Sequence, residues 1–219
     1  MTDTTVKVKI CGLNERQGLD AALDAGAAYT GFVFYRRSPR FLELNVAADL
    51  VAAVPPRVTP VGLFVDPSDA ELDAVLKQVP LRLLQLHGKE TPARAAEIKR
   101  RTGVPVIKAL GVAVAADINA AAAYEDHVDA LMFDAKPPPG ATRPGGNAVA
   151  FEWRLARAYA GARPWMLAGG LTSDNVAEAI AQSGATVVDV SSGVESSPGV
   201  KSPDKIRAFI AAATAAKKD

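Results

Sequence analysis

The 219-residue sequence contains one cysteine, Cys11, and two histidines, His87 and His127. Each scarcity excludes something. A lone thiol cannot close an internal disulfide, and the common structural zinc sites need more cysteines than one. The histidines lie far apart and in neither the H-x-E nor the H-E-x-x-H spacing, so no metal and no cofactor is expected. No run of about 18 apolar residues is present to cross a bilayer. The N-terminal Met1-Thr2-Asp3-Thr4-Thr5 also lacks the basic-then-apolar pattern of a secretory leader. A soluble protein of a reducing, cytoplasmic compartment is expected. Charge of one sign is missing too: 25 Lys+Arg face 24 Asp+Glu, with only the short basic runs Lys99-Arg100-Arg101 and Lys217-Lys218. Neither nucleic acid nor a membrane is expected as a partner, because displacing condensed counterions takes clustered cations.

What is present is a repeat of two textures. Short runs rich in Val, Ile, Leu and Phe alternate with alanine-rich helical segments. Strands are predicted at Val6 to Cys11, Tyr29 to Phe34, Pro60 to Val65, Leu81 to His87, Val104 to Leu110, Asp129 to Asp134, Pro164 to Gly169 and Thr186 to Ser191. Helices are predicted at Glu15 to Ala25, Val46 to Val54, Asp69 to Gln78, Pro92 to Arg101, Ala115 to Tyr124, Phe151 to Ala160, Asn175 to Ser183 and Pro203 to Ala215. The fifth helix rests on alanine propensity without a distinct apolar stripe. Near-continuous strands such as Val61-Gly62-Leu63-Phe64-Val65 imply burial on both faces, as in a parallel sheet covered by helices. Eight evenly spaced units point to α/β architecture as a single-domain (β/α)8 TIM barrel over residues 1–219. An open Rossmann sheet fits less well, since the first turn, Cys11-Gly12-Leu13-Asn14, lacks G-x-G-x-x-G. The longer loops Tyr35 to Glu43 and Lys136 to Asn147 follow the second and sixth strands. A barrel builds its active site on that face.

Chemistry-bearing residues fall at the strand ends. Gly169-Gly170-Leu171-Thr172-Ser173 follows the seventh strand and Ser191-Ser192-Gly193-Val194-Glu195 the eighth. Glycines let backbone N–H groups converge on an anion, and barrels often bind phosphate in these two loops. The plainer reading is a strand end followed by a helix cap at Thr172 or Ser173. Asp134 closes Leu131-Met132-Phe133-Asp134, where a carboxyl can keep a proton for donation or simply accept hydrogen bonds from its own loop. Cys11 stands at a strand-to-helix turn. A free thiol is only a few per cent ionised near pH 7, so a base needs a nearby cation or helix N-terminus to lower its pKa. Lys9 shares its face of the strand, and whether it tunes Cys11 stays open. Arg40 could clamp a carboxylate through its planar fork, while Arg36 and Arg37 read as solvated charges. His87 reads as site-lining, in competition with plain packing, and Asp189 as an interior polar residue orienting its neighbours.

Lys9-Ile10-Cys11-Gly12, Gly31-Phe32-Val33-Phe34, Ser38-Pro39-Arg40, Gln85-Leu86-His87-Gly88, Phe133-Asp134, Gly169-Gly170-Leu171 and Val188-Asp189-Val190-Ser191-Ser192-Gly193-Val194-Glu195, in this order along the chain, together resemble the phosphoribosylanthranilate isomerases of tryptophan biosynthesis. The resemblance implies a barrel enzyme acting on a small phosphoribosyl substrate, as monomer or homodimer. It also implies an acid/base Amadori rearrangement, with Cys11 as general base, Asp134 as general acid and Arg40 on the anthranilate carboxylate. Gly169-Gly170 and Ser191-Ser192-Gly193 would grip the phosphate. One departure is the segment Gly145-Gly146-Asn147-Ala148 before Phe151-Glu152-Trp153, where many relatives carry Gly-Gly-Thr-Gly before Phe-Asp-Trp. An indole-glycerol-phosphate synthase would need a lysine pair on early strands, and a ribulose-phosphate epimerase would need metal-binding histidines. Neither set is evident. A phosphate sensor would tolerate loss of acid or base, and both are present.

Overall fold

A computed structural model describes residues 5–136 and 150–216. Eight parallel strands close into a barrel in sequence order: β1 (Lys7–Cys11), β2 (Tyr29–Val33), β3 (Thr59–Phe64), β4 (Leu83–Leu86), β5 (Val106–Val112), β6 (Ala130–Ala135), β7 (Trp165–Leu167) and β8 (Val187–Val190). The ring is sealed where β1 pairs with β8, Lys9 opposite Asp189. Outside it lie α1 (Arg16–Asp24), α2 (Leu44–Ala52), α3 (Asp69–Leu76), α4 (Pro92–Thr102), α5 (Ala115–Asn119), α6 (Val176–Ser183) and α7 (Pro203–Ala215).

Local chemistry explains the helix bounds. Ser68 and Glu71 form a reciprocal capping box at the start of α3, satisfying two otherwise unpaired N–H groups. In α4 Thr91 caps the N-terminus, Pro92 follows it, and Gly103 closes the helix in the left-handed conformation, the Pro-in, Gly-out asymmetry of helix ends. The weak fifth segment is α-helical only to Asn119 and tightens to a 3-10 helix over Ala120–Tyr124. The expected sixth helix is a 3-10 helix at Trp153–Ala158. Its course is set by tertiary anchors: Tyr159 stacks edge-on to Phe133 with ring centroids 5.4 Å apart, and its hydroxyl donates to Glu125 at 2.8 Å.

A second departure from expectation follows β8. The chain makes a 3-10 turn at Ser192–Val194 and then an antiparallel hairpin of β9 (Glu195–Ser197) and β10 (Val200–Lys201).

Strand periodicity sorts the side chains into two cores. The larger lies between barrel and helices and includes Phe32, Phe64, Leu84, Phe133 and Phe209. The smaller fills the lumen with Ile107, Ala109, Met132, Met166 and Ala168. Because side chains alternate faces along a strand, lumen parity passes from Met132 to Asp134. By the same alternation Lys9 and Cys11, Gln85 and His87, and Asp189 and Ser191 share faces. Of the two longer loops, 34–43 joins β2 to α2, whereas most of Lys136 to Asn147, with its atypical segment, lies outside the described residues.

Candidate active site

Cys11 ends β1 with only 4 % exposure, and its Sγ and Lys9 Nζ both press on Gly31 of β2. A Cβ at Gly31 would stand 2.9 Å from the sulfur and 3.2 Å from the ammonium, so this strand pair meets closely because position 31 has no side chain. Lys9 is fully buried and donates to Asp189 at 2.8 Å. The question left open for Lys9 is thereby answered in part: it is a near neighbour of the thiol, held there by a carboxylate.

Burial dominates the electrostatics of the thiol. Burial pushes the Cys11 thiol above its ordinary value; Lys9 and Lys201 pull it down, and Asp189 adds to the rise. Removing a thiolate from water costs more than two buried ammonium groups return, one of which is already spent on Asp189. Burial alone would lower Lys9, but Asp189, and Cys11 when it is ionised, hold it above the usual lysine value. The resting site therefore has a protonated thiol beside an ammonium.

A second buried charge cluster adjoins the first. Arg40 forks onto Glu195 through Nε at 2.6 Å and Nη2 at 2.9 Å. Lys201 reaches the same carboxylate at 2.9 Å and the Ser191 carbonyl at 2.8 Å, and the Gly199 N–H adds a fourth donor at 3.2 Å. Burial opposes ionisation of Glu195, but Arg40 and Lys201 outweigh it and hold the carboxyl below the usual range. Burial lowers Lys201 despite Glu195. Arg40 is thus a buried, paired arginine, and its Nε–Nη2 edge is occupied. Among the described residues Nη1 makes no hydrogen bond. A Cβ on Gly12, which has φ of 77°, would run into Arg40 and approach Ser191. The turn after Cys11 therefore threads between these two side chains.

The two glycine loops meet. A Cβ at Gly193 would overlap the carbonyl oxygen of Leu171, so the turns after β7 and β8 touch at that point. Gly169 and Gly170 both take left-handed φ, 90° and 64°. Asn175 ties the first loop down by accepting from the Thr172 N–H at 2.8 Å and donating to the Gly170 carbonyl at 3.0 Å. Thr172 and Ser173 do not cap α6; Asn175 holds that position.

Asp134 lies on β6, three strands from β1 around the ring. Its Oδ1 accepts the Ala135 N–H at 2.8 Å, and its Oδ2 lies 3.1 Å from His87 Nε2. β4 and β6 are not neighbours, so this contact crosses over β5 within the mouth. His87 is accordingly in the site, 11 % exposed at its side chain, with Nδ1 2.8 Å from Gln85 Nε2. Asp189 is there through Lys9. Sequence reasoning missed Gln85 and Lys201. The two-residue spacing of Gln85 from His87 carried a signal, since it sets both on one face. Nothing local marked Lys201, which arrives by the hairpin.

Among the described residues no group of three or more His, Cys, Asp and Glu could hold a metal ion. No described helix is long and apolar enough to cross a membrane.

Comparison with known proteins supplies the remaining finding. The family model described as N-(5'phosphoribosyl)anthranilate (PRA) isomerase matches residues 8–212. The N-(5'-phosphoribosyl)anthranilate isomerase of Paracoccus denitrificans is 60% identical over 210 residues, covering 96% of this chain and 98% of the relative. The phosphoribosyl anthranilate isomerase structure from Thermotoga maritima superposes with a TM-score of 0.85 at 36% identity, covering 95% of this chain and 98% of that one. A phosphoribosyl anthranilate isomerase solved with reduced 1-(o-carboxyphenylamino)-1-deoxyribulose 5-phosphate gives a TM-score of 0.81 at 34% identity, again over 95% and 98% of the two chains.

Proposed function

Because the chain belongs to the N-(5'-phosphoribosyl)anthranilate isomerase family of tryptophan biosynthesis, whose Amadori rearrangement it catalyses, we propose that the two faces of its barrel mouth divide that reaction between them. Asp134 is the general acid. It gives its proton to the furanose ring oxygen as the C1′–O bond breaks, and the anthranilate nitrogen lone pair forms the iminium. Cys11, as thiolate, is the general base that removes the C2′ proton; the C–H electrons neutralise the iminium to an enolamine, which tautomerises to the ketone. The product is an isomer of the substrate, so the proton lost by Asp134 and the proton gained by Cys11 cancel over a turnover.

The observation that carries this reading is parity. Cys11 ends β1 and Asp134 is the last residue but one of β6, on the faces shared with Lys9 and with Met132 of the lumen core, so both belong to one mouth. The phosphate is assigned to the touching loops at Gly169-Gly170 and Ser191-Ser192-Gly193, where small residues leave room for backbone N–H groups to approach an anion. The anthranilate carboxylate is assigned to Arg40 through Nη1, the remaining Nε–Nη2 edge being engaged by Glu195. A protein reliant on one buried, unoxidised thiol suits the cytoplasm.

Replacement of either reacting group tests the assignment. Cys11→Ala and Asp134→Asn are each expected to lower kcat by about 10²–10⁴, with the circular dichroism of the folded chain unchanged. Near-normal turnover in a folded variant would remove that residue from its role.

A further inference from the structure

The Amadori chemistry uses Asp134 but leaves its neighbours unexplained. Gln85 is fully buried, and its Nε2 lies 2.8 Å from His87 Nδ1 and 3.3 Å from Met132 Sδ. Its Oε1 is inaccessible and, among the described residues, has no hydrogen-bond partner.

This arrangement fixes a proton. A thioether sulfur can accept a hydrogen bond but has none to give. The amide therefore satisfies two contacts with its nitrogen toward the ring and the sulfur. Turned over, it would set a carbonyl oxygen against a sulfur lone pair and bury the amino group unpaired. Its N–H must then donate to His87 Nδ1, which carries the lone pair. A neutral imidazole has one N–H, and here it sits on Nε2, pointing at Asp134 Oδ2. The unpaired Oε1 is the cost of keeping both N–H contacts of the amide.

We propose that Gln85 and His87 are positioning residues for the general acid: Gln85 selects the Nε2–H tautomer of His87, and His87 aims the Asp134 carboxyl and stabilises the carboxylate left when its proton has gone. Oδ1 already accepts the Ala135 N–H, so the departing proton leaves a carboxylate met by one fixed donor on each oxygen. Donors set in advance where charge develops need no reorganisation during the reaction. The inference rests on the assignment of Asp134 as the acid, but the tautomer itself does not.

The test combines nitrogen NMR with kinetics on the full chain. On the alkaline side of neutrality, ¹⁵N spectra of wild-type His87 should show the proton on Nε2. Gln85→Leu should give a mixed tautomer population, with kcat falling about tenfold and KM unchanged within about twofold. His87→Phe should lower kcat by about 10²-fold, the loss typical of one preset donor, and His87→Gln, whose amide can replace the Nε2–H, should recover part of it. A proton on Nδ1 in the wild type overturns the proposal, and this measurement stands even where a variant fails to fold. So does a Gln85→Leu protein that mixes tautomers at full kcat. Failure of Asp134 as the acid would show separately, as normal turnover in Asp134→Asn with the His87 tautomer unchanged.

Discussion

The two halves of the barrel mouth are built from opposite materials. Around Cys11 the structure buries Lys9, Asp189, Arg40, Glu195 and Lys201, a lattice of full charges tied into ion pairs. Around Asp134 it sets an amide, an imidazole, a thioether and a backbone N–H, all of them neutral donors or acceptors once the ring carries its single proton. The difference suits the roles proposed for the two groups. A base that works as an anion in a dry pocket needs positive charge nearby. An acid must hold a proton until substrate arrives, and a cation beside it would strip that proton early. Among the described residues the buried ammonium on the β5 side, Lys108, is paired with Glu90 and lies on the face of β5 opposite to Ile107 and Ala109 of the lumen core, so the lumen around Asp134 is left to neutral groups.

The largest effect that would break this contrast is on stability. Lys9→Met leaves Asp189 buried without its cation, and stranding one partner of a buried pair costs about 3–5 kcal/mol. Lys9→Met with Asp189→Asn should recover most of that loss, because the second change removes the stranded charge. Gln85→Leu, on the neutral side, removes no charge and should cost clearly less. Urea denaturation of the three variants decides the matter. Equal losses for Lys9→Met and Gln85→Leu would mean that the two sides do not differ in kind.

The same burial has a pH signature with two opposite signs. The Cys11 thiol is raised above its ordinary value of 9.0 in the folded chain, so the folded state holds this proton more tightly than the unfolded state. The stabilisation is fully present below the ordinary value and is lost as pH rises from there through the raised one, with a slope of up to about 1.4 kcal/mol per pH unit. Activity moves the other way. With Cys11 as the proposed base the thiolate is the reacting form, so kcat/KM should climb across that window by up to about tenfold per pH unit. Cys11→Ala removes the thiol's share of both slopes. A wild-type stability slope identical to that of Cys11→Ala above the ordinary thiol value would show that burial does not hold the proton on.

How much of this was legible in the sequence depends on the range of the interaction. Cys11, Asp134 and the two glycine loops could be read because a strand end is a local event, marked by an apolar run that stops at a polar or small residue. The barrel followed from counting such events, since eight strands buried on both faces leave little else to build. Arg40 reads in the sequence as a clamp for a carboxylate because its partner, Glu195, is 155 residues away; Pro198-Gly199 marks a turn after Glu195 but not what that hairpin packs against. Whether Lys9 tunes Cys11 could not be read from the sequence for a related reason. Lys9 and its shared face were visible, whereas the degree of burial and the competing Asp189 come from closure of β1 on β8. The sixth helix, expected over Phe151 to Ala160 from its helical composition, is a 3-10 helix because contacts of Tyr159 with Phe133 and Glu125 decide the course of the chain there.

The smallest predicted effect concerns a single lone pair. Met132 contributes a sulfur to Gln85 at 3.3 Å from the lumen side of β6, and that sulfur is the reason one orientation of the amide is preferred. Met132→Leu conserves volume and charge, so its packing cost should be small; with the loss of a weak sulfur contact, about 0.5 kcal/mol is expected. On the charged side of the mouth a change of that size would be lost among ion pairs. On the neutral side it releases the amide to turn, and the His87 proton is then less firmly held on Nε2. The expected result is a chain almost as stable as the wild type whose His87 nitrogen spectrum shows both tautomers. A pure Nε2–H ring in folded Met132→Leu would show that Gln85 takes its orientation from His87 and Asp134 instead. The order of control along the chain of contacts would then run from the acid inward.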